Sequence, residues 1–126
     1  MFSLVLVSLI FWCIAIFATY YGLSNGLVVE ANPFYDSLFQ NKGLLYGLAY
    51  FALVNFAPVF VCLSFGITSR SIGRKVGNFW GSDAEERHEL AIIVETAISS
   101  ICLLMLLFFA FLAIPNGWHD LITVFF

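Results

Sequence analysis

Glu95 is the one ionisable side chain that falls inside a long apolar run of this 126-residue chain. A carboxylate in hydrocarbon costs a few kcal/mol or more, so such a residue is a functional candidate by default. Steps of four, three, four and three residues put His88, Ile92, Glu95, Ser99 and Cys102 on a single stripe of a helix. A stripe of His, Glu and Ser has the chemistry to pass protons or hold a cation. The competing role is structural: Glu95 bonds a neighbouring helix or another subunit, with Ser64 and Thr68 at similar depth as partners. Three helices enclose no pathway, which favours the structural role.

Other polar residues carry weaker signals. Asn55 precedes Pro58 by three residues, and Pro58 removes a backbone hydrogen bond and clashes with the carbonyl of Val54, so a kink is expected there. Asn55 would then satisfy the freed carbonyl or bridge two helices. Gly43-x-x-x-Gly47 is the spacing that lets another backbone approach a membrane helix, whereas Gly73-x-x-x-Gly77 lies in a basic stretch and reads as flexibility. Glu85 and His88 have the Glu-x-x-His spacing of di-iron bundles, but the further ligands such a site needs are missing, and a solvated helix cap is preferred. Ser99-Ser100 has no histidine at matching depth, and nucleotide loops and haem attachment motifs are absent. No cofactor or metal is expected. Cys13, Cys62 and Cys102 all sit in apolar runs and read as small buried hydrophobes.

The elements that position these residues follow from composition. The chain is 62% apolar and 10% charged, whereas an average soluble domain is about 45–50% apolar and about 25% charged. A chain this small has too much surface to bury so many large apolar side chains inside itself, so lipid must solvate much of it. Five Lys plus Arg against eight Asp plus Glu, a net charge of −3, argues against a nucleic-acid partner. Apolar runs at about 2–23, 44–68 and 90–114 each exceed the roughly 20 residues that cross a bilayer core, which predicts an all-α integral membrane domain with three transmembrane helices. The first run lacks a basic residue ahead of it and is too long for a signal-peptide core, so it reads as a retained span.

Arg70, Arg74, Lys75 and Arg87 lie between the second and third spans, and only Lys42 lies between the first and second. The positive-inside rule then predicts a cytoplasmic loop at 69–89, a cytoplasmic N-terminus and an outside C-terminus. Tyr20, Tyr21, Tyr46 and Trp118 fit an outer aromatic belt, and the apolar tail at 115–126 is expected along the interface or against a partner. Arg70, Arg74 and Lys75 form a small basic cluster suited to anionic headgroups.

In the outer loop, Asn32 is a good N-cap and Pro33 suits the first helical position. Phe34, Tyr35, Leu38 and Phe39 supply an apolar face, so a short interfacial helix is predicted at 33–40. Glu30 sits ahead of its positive end, where a carboxylate is stabilised. A rigid capped turn is preferred there over a cation or partner site.

The stretch Thr19-Tyr20-Tyr21-Gly22-Leu23-Ser24-Asn25-Gly26, followed by Glu30-Ala31-Asn32-Pro33, resembles a family of small uncharacterised integral membrane proteins, mostly archaeal and bacterial. The resemblance covers about a quarter of the chain and implies topology more than activity. That family often has an Asp in the first helix, which this chain lacks.

The expectation from these readings is a non-catalytic accessory or structural subunit of a larger membrane complex, in contact with lipids and other subunits. A homo-oligomeric ion or proton translocator using Glu95 is the alternative from a different class, and a lipid-binding protein the third.

Overall fold

Small residues decide how the helices meet. The computed structural model describes all residues, 1–126, as four helices with short turns and no strand: α1 (Phe2–Ser24), α2 (Pro33–Lys42), α3 (Leu44–Trp80) and α4 (Ala84–Phe125). Three of them, α1, α3 and α4, are long and apolar enough to cross a membrane. On α1 the buried positions are Val5, Ser8, Trp12, Ala15, Ala18 and Gly22, a seam with steps of three and four. On α4 they are Cys102, Leu106, Ala110, Ala113 and Gly117. Val5 meets Leu106, and a Cβ at Gly117 would lie 2.5 Å from the carbonyl oxygen of Phe11. Residue numbers rise together along this contact, so α1 and α4 run parallel.

The contact between α3 and α4 is antiparallel and closer. Val59 packs on Leu106, and the Ser99 hydroxyl donates to Ser69 Oγ at 3.0 Å. Beyond that pair, a Cβ at Gly73 would lie 2.5 Å from the carbonyl oxygen of Ala91, and one at Gly77 would overlap the carbonyl oxygen of Arg87. Gly81, where the turn starts, lies against Arg87 in the same way. Ser69, Gly73, Gly77 and Gly81 recur every four residues, so one face of α3 presents bare backbone to α4. These glycines are rigid packing positions, where the expectation was flexibility.

That contact changes two boundaries. The expected loop at 69–89 is helical over most of its length, and only Gly81–Asp83 forms the turn. Asp83 caps α4 by accepting from the Glu86 N–H at 2.9 Å, and the Glu86 carboxylate reaches back to the Ser82 N–H at 2.8 Å and to its hydroxyl. The expected tail at 115–126 is the continuation of α4, which passes Pro115 without a break. Asn116 Nδ2 donates to the Leu112 carbonyl at 2.7 Å, and Phe125 stacks on Tyr21 and Phe17 of α1. The apolar end of the chain is therefore occupied by its own first helix.

Met1 reaches the position of Gly66, next to Cys102. The three-helix part of the molecule thus consists of α1, α3 up to about Gly66 and α4 from about Cys102. Its 23-residue α1 is about 35 Å long, close to a hydrocarbon core of about 30 Å. Helices α3 and α4, at about 55 and 63 Å, extend beyond it as a two-helix hairpin of about 20 Å. The surface area is 8262 Å², against about 6,700 Å² for a soluble chain of this mass, and most large apolar side chains lie on it. This is a multi-pass membrane protein.

Gly43 ends α2 and starts α3 with φ of 95°, a conformation other residues adopt only with strain. A Cβ at Gly47 would overlap the Phe39 ring. The expected backbone approach at Gly43-x-x-x-Gly47 is thus replaced by a turn residue and a seat for an aromatic side chain. Asn55 Nδ2 donates at 2.8 Å to the carbonyl of Phe51, one turn earlier in its own helix. It neither bridges helices nor reaches the Val54 carbonyl, because the nearer carbonyl of the preceding turn satisfies it.

Two measurements check this register. With the native cysteines replaced by alanine, Ser69→Cys/Ser99→Cys forms a disulfide under mild oxidation in membranes, and Ser69→Cys/Glu89→Cys, the pairing a loop at 69–89 would favour, does not. Gly77→Leu overpacks the hairpin and lowers stability by about 1–3 kcal/mol, read as a lower midpoint of thermal unfolding in detergent micelles.

Candidate functional site

At the α2 end, all four helices contribute to one small crevice. The loop from α1 is ordered by two successive caps: the Asn32 N–H donates to Glu30 Oε1 at 2.8 Å, and the Phe34 N–H donates to Asn32 Oδ1 at 3.0 Å. Pro33 at the first helical position holds Asn32 in extended backbone. Capping therefore aims Glu30 and Asn32 at the bundle instead of leaving them in a loose loop. Helix α2 then lays Tyr35 and Phe39 on α3, Tyr35 meeting the Phe51 ring edge-on at 5.3 Å. On the far side Phe51 meets Trp12 of α1 at 5.4 Å, again edge-on.

The resulting cavity has a volume of about 250 Å³. One part of its wall is aromatic, from Trp12, Tyr35, Phe39 and Phe51; the other is polar, from Thr19, Glu30, Asn32, Asn116 and Asp120. No Lys or Arg lines it. Asp120 has only His119 beside it, with Asp120 Oδ1 at 3.5 Å from His119 Nδ1. Trp12 is 6% exposed, and its indole N–H has no hydrogen-bond partner. A second cavity of about 150 Å³ shares Thr19, Glu30 and Asp120 and is bordered by His119. Burial, then the neighbouring Tyr50 and Glu30, hold the Tyr35 phenol above its ordinary pKa, so it is a neutral O–H near this site.

The hairpin carries the other polar group. Arg74 and Asn78 of α3 and Arg87 and His88 of α4 border an open groove on it. Arg87 also ties the turn, its Nε donating to the Gly81 carbonyl at 3.1 Å. Glu95 lies beside Gly73, half-buried, two turns beyond Cys102 and past the end of α1, and it forms no ion pair. Ser64 and Thr68, its expected partners, donate instead to Phe60 and Ser64 carbonyls of their own helix. Ser99 and Cys102 do share the face turned to α3.

Of the residues singled out from the sequence, Glu30, Asn32 and Pro33 belong to the crevice or its cap. Gly43 and Gly47 shape the α2–α3 junction, Asn55 serves its own helix, and Glu95 with Ser99 belongs to the hairpin. Trp12, Thr19, Tyr35, Asn116 and Asp120 were not anticipated as site residues. The available signal was Asn116 and Asp120 one turn apart in a largely apolar tail, polar positions that share a helix face. The chain matches no protein-family model, no curated protein and no solved structure.

Hydrogen bonds from the Ser82 hydroxyl and amide hold the Glu86 carboxyl below its ordinary pKa. The folded-state value is depressed, so this tie is complete above the ordinary carboxylate range and is lost as pH falls through the lowered value. Hydrogen exchange at the Ser82 amide, normalised to an unstructured peptide, should stay protected from neutral pH to below that range and then open. In Glu86→Gln the opening loses its pH dependence.

Proposed function

We propose that this protein is a non-catalytic accessory subunit of a larger membrane complex, anchored by its three-helix part and engaging its partner through the α3–α4 hairpin. The observation that carries this reading is exposed apolar surface on the hairpin, beyond the part of the molecule that α1 spans. At the hairpin tip Phe79 and Trp80 are 81% and 71% exposed, and Ile92 and Ile93 are exposed along its flank. Arg70, next to Ser69, marks how far hydrocarbon extends along α3, because a charge placed deeper is costly. Ile92 and Ile93 lie one to two turns farther out on α4. Apolar side chains held in water on a stiff, glycine-zipped arm are what an interaction surface needs.

Orientation follows the basic residues. With Arg70, Arg74, Lys75 and Arg87 on the hairpin, the arm and the N-terminus are cytoplasmic, and the crevice and the C-terminus face outside. Membrane lipids cover the remaining apolar surface. Glu95, in this reading, is a hairpin residue whose backbone lies beside Gly73 of α3, and no transport path is assigned to it.

Gentle solubilisation from native membranes, followed by native mass analysis, tests the proposal. The expected result is a stoichiometric complex with larger subunits, which Phe79→Ser/Trp80→Ser dissociates at least tenfold more readily while helicity and thermal midpoint are unchanged. Glu95→Gln leaves the complex intact. Recovery of a homo-oligomer with no other chain, or a complex indifferent to the tip variant, overturns it.

A further inference from the structure

The groove on the side of the hairpin gathers cationic donors that the protein itself leaves unused. On α4, Ala84, Arg87, His88 and Ala91 form one stripe; on α3, Arg74 and Asn78, one turn apart, border the same groove, whose volume is about 340 Å³. The glycine contact fixes this pairing. Gly73 and Gly77, each one residue before Arg74 and Asn78, lie against the α4 backbone at Ala91 and Arg87. Two guanidinium groups, an imidazole and a carboxamide are thus brought together from two helices, with no carboxylate among the lining residues.

The hairpin also carries acids, and they do not neutralise this groove. Asp83 caps α4, and the Glu86 carboxylate is bonded to Ser82. Glu85 and Glu89 lie on α4 beside the stripe but do not border the groove. No Arg or Lys of the hairpin forms an ion pair. Of the side-chain donors that line the groove only Arg87 Nε is engaged, by the Gly81 carbonyl. Both Nη groups of Arg87, the whole Arg74 guanidinium, the Asn78 amide and the His88 ring remain available.

We propose that this groove binds a phosphate monoester group through Arg74, Asn78, Arg87 and His88. A carboxylate has two oxygens, which one guanidinium fork satisfies, whereas a tetrahedral phosphate offers oxygens to donors from both helices. No Phe, Tyr or Trp lines the groove, so it gives a nucleobase no surface to stack on. Its level along the hairpin narrows the class further. Arg74 lies eight residues, about 12 Å, beyond Gly66, the level at which α1 ends, and a headgroup layer is about 5–8 Å deep. The groove therefore sits outside the phosphodiesters of ordinary lipids. It meets a phosphate ester in solution, or a phosphate at the outer tip of a lipid headgroup.

Two arms of one experiment separate these sources. In maltoside micelles the full-length protein is titrated calorimetrically with glycerol phosphate, with sodium acetate and sodium chloride at matched ionic strength as controls. In nanodiscs of phosphatidylcholine, native mass analysis compares retention of phosphatidylinositol monophosphate with that of phosphatidylinositol. Saturable binding of glycerol phosphate, absent with both controls, identifies a free ester. Selective retention of the monophosphate lipid without a response in micelles identifies a headgroup.

Either response supports the proposal if Arg74→Gln weakens it by about tenfold or more, while Lys75→Gln, which removes an equal charge from the next residue outside the groove, changes it less than about twofold. Arg87→Gln has the same effect as Arg74→Gln. Because Arg87 also ties the turn, helicity and thermal midpoint are checked, and if that variant unfolds Arg74→Gln decides. No saturable response in either arm overturns the proposal, as does one that Arg74→Gln leaves intact or that Lys75→Gln weakens equally. Phe79→Ser/Trp80→Ser leaves the response unchanged, so the outcome is independent of the accessory-subunit reading.

Discussion

The structure depends on how closely the backbones of α3 and α4 approach each other along Ser69, Gly73, Gly77 and Gly81. In lipid, apolar side chains gain nothing by leaving solvent for one another, so association rests on close packing and interhelical hydrogen bonds. Both occur here. The glycines let α4 carbonyls sit where a side chain would begin, and Ser69 and Ser99 bond to each other at the inner end of the contact. Because the close positions recur every four residues, the pair has one favourable register, and a slip by one residue would set Cβ atoms against backbone.

From that register the placement of the arm follows. It pairs Ser69 with Ser99, and so sets Gly66 beside Cys102, the level that Met1 also reaches. The 23-residue α1 then defines the membrane-sized part of the molecule, and the surplus length of α3 and α4 has nowhere to go except beyond it. At the other end, the parallel contact of α4 with α1, close at Gly117 and Gly22, carries Asn116 and Asp120 alongside Thr19 and the capped loop. A crevice forms there, where a tail read from hydropathy alone would have left none. The α3–α4 contact thus places the projecting arm, and the α1–α4 contact the polar cavity.

How far these features could be read from the sequence depended on the range of the interaction behind each. Local chemistry was legible: Asn32 caps α2, Pro33 opens it, and three apolar runs become the three long helices. Glycines were legible as special, yet their meaning was inverted. Gly43 and Gly47 form a turn and an aromatic seat, whereas Gly73 and Gly77, in a stretch that composition marks as a loop, form the tight contact. Hydropathy could not tell these apart, because in a membrane protein both lipid-facing and buried positions are apolar. Residue size carries the information instead, as the Ala15, Ala18, Ala110 and Ala113 seam shows. The third apolar run shows the same limit: from Leu90 onward it is apolar enough for a bilayer, and its first three turns pack on α3 without α1, as part of the hairpin. Only contact with a distant part of the chain reveals which neighbour those turns have. The crevice was legible only at Glu30 and its cap, since Trp12 and Asp120 reach it from distant parts of the chain.

The measurement that bears most directly on this account is a cysteine-accessibility scan along α4, from Leu90 to Phe126, in a cysteine-free background. Single cysteines in sealed membrane vesicles of known orientation would be reacted with a membrane-impermeant maleimide applied to the hairpin side. The account predicts labelling at exposed positions from Leu90 through about Ser99, with protection beginning near Cys102. Protection that already begins at Leu90, or labelling that continues well past Cys102, would contradict the register on which the arm depends.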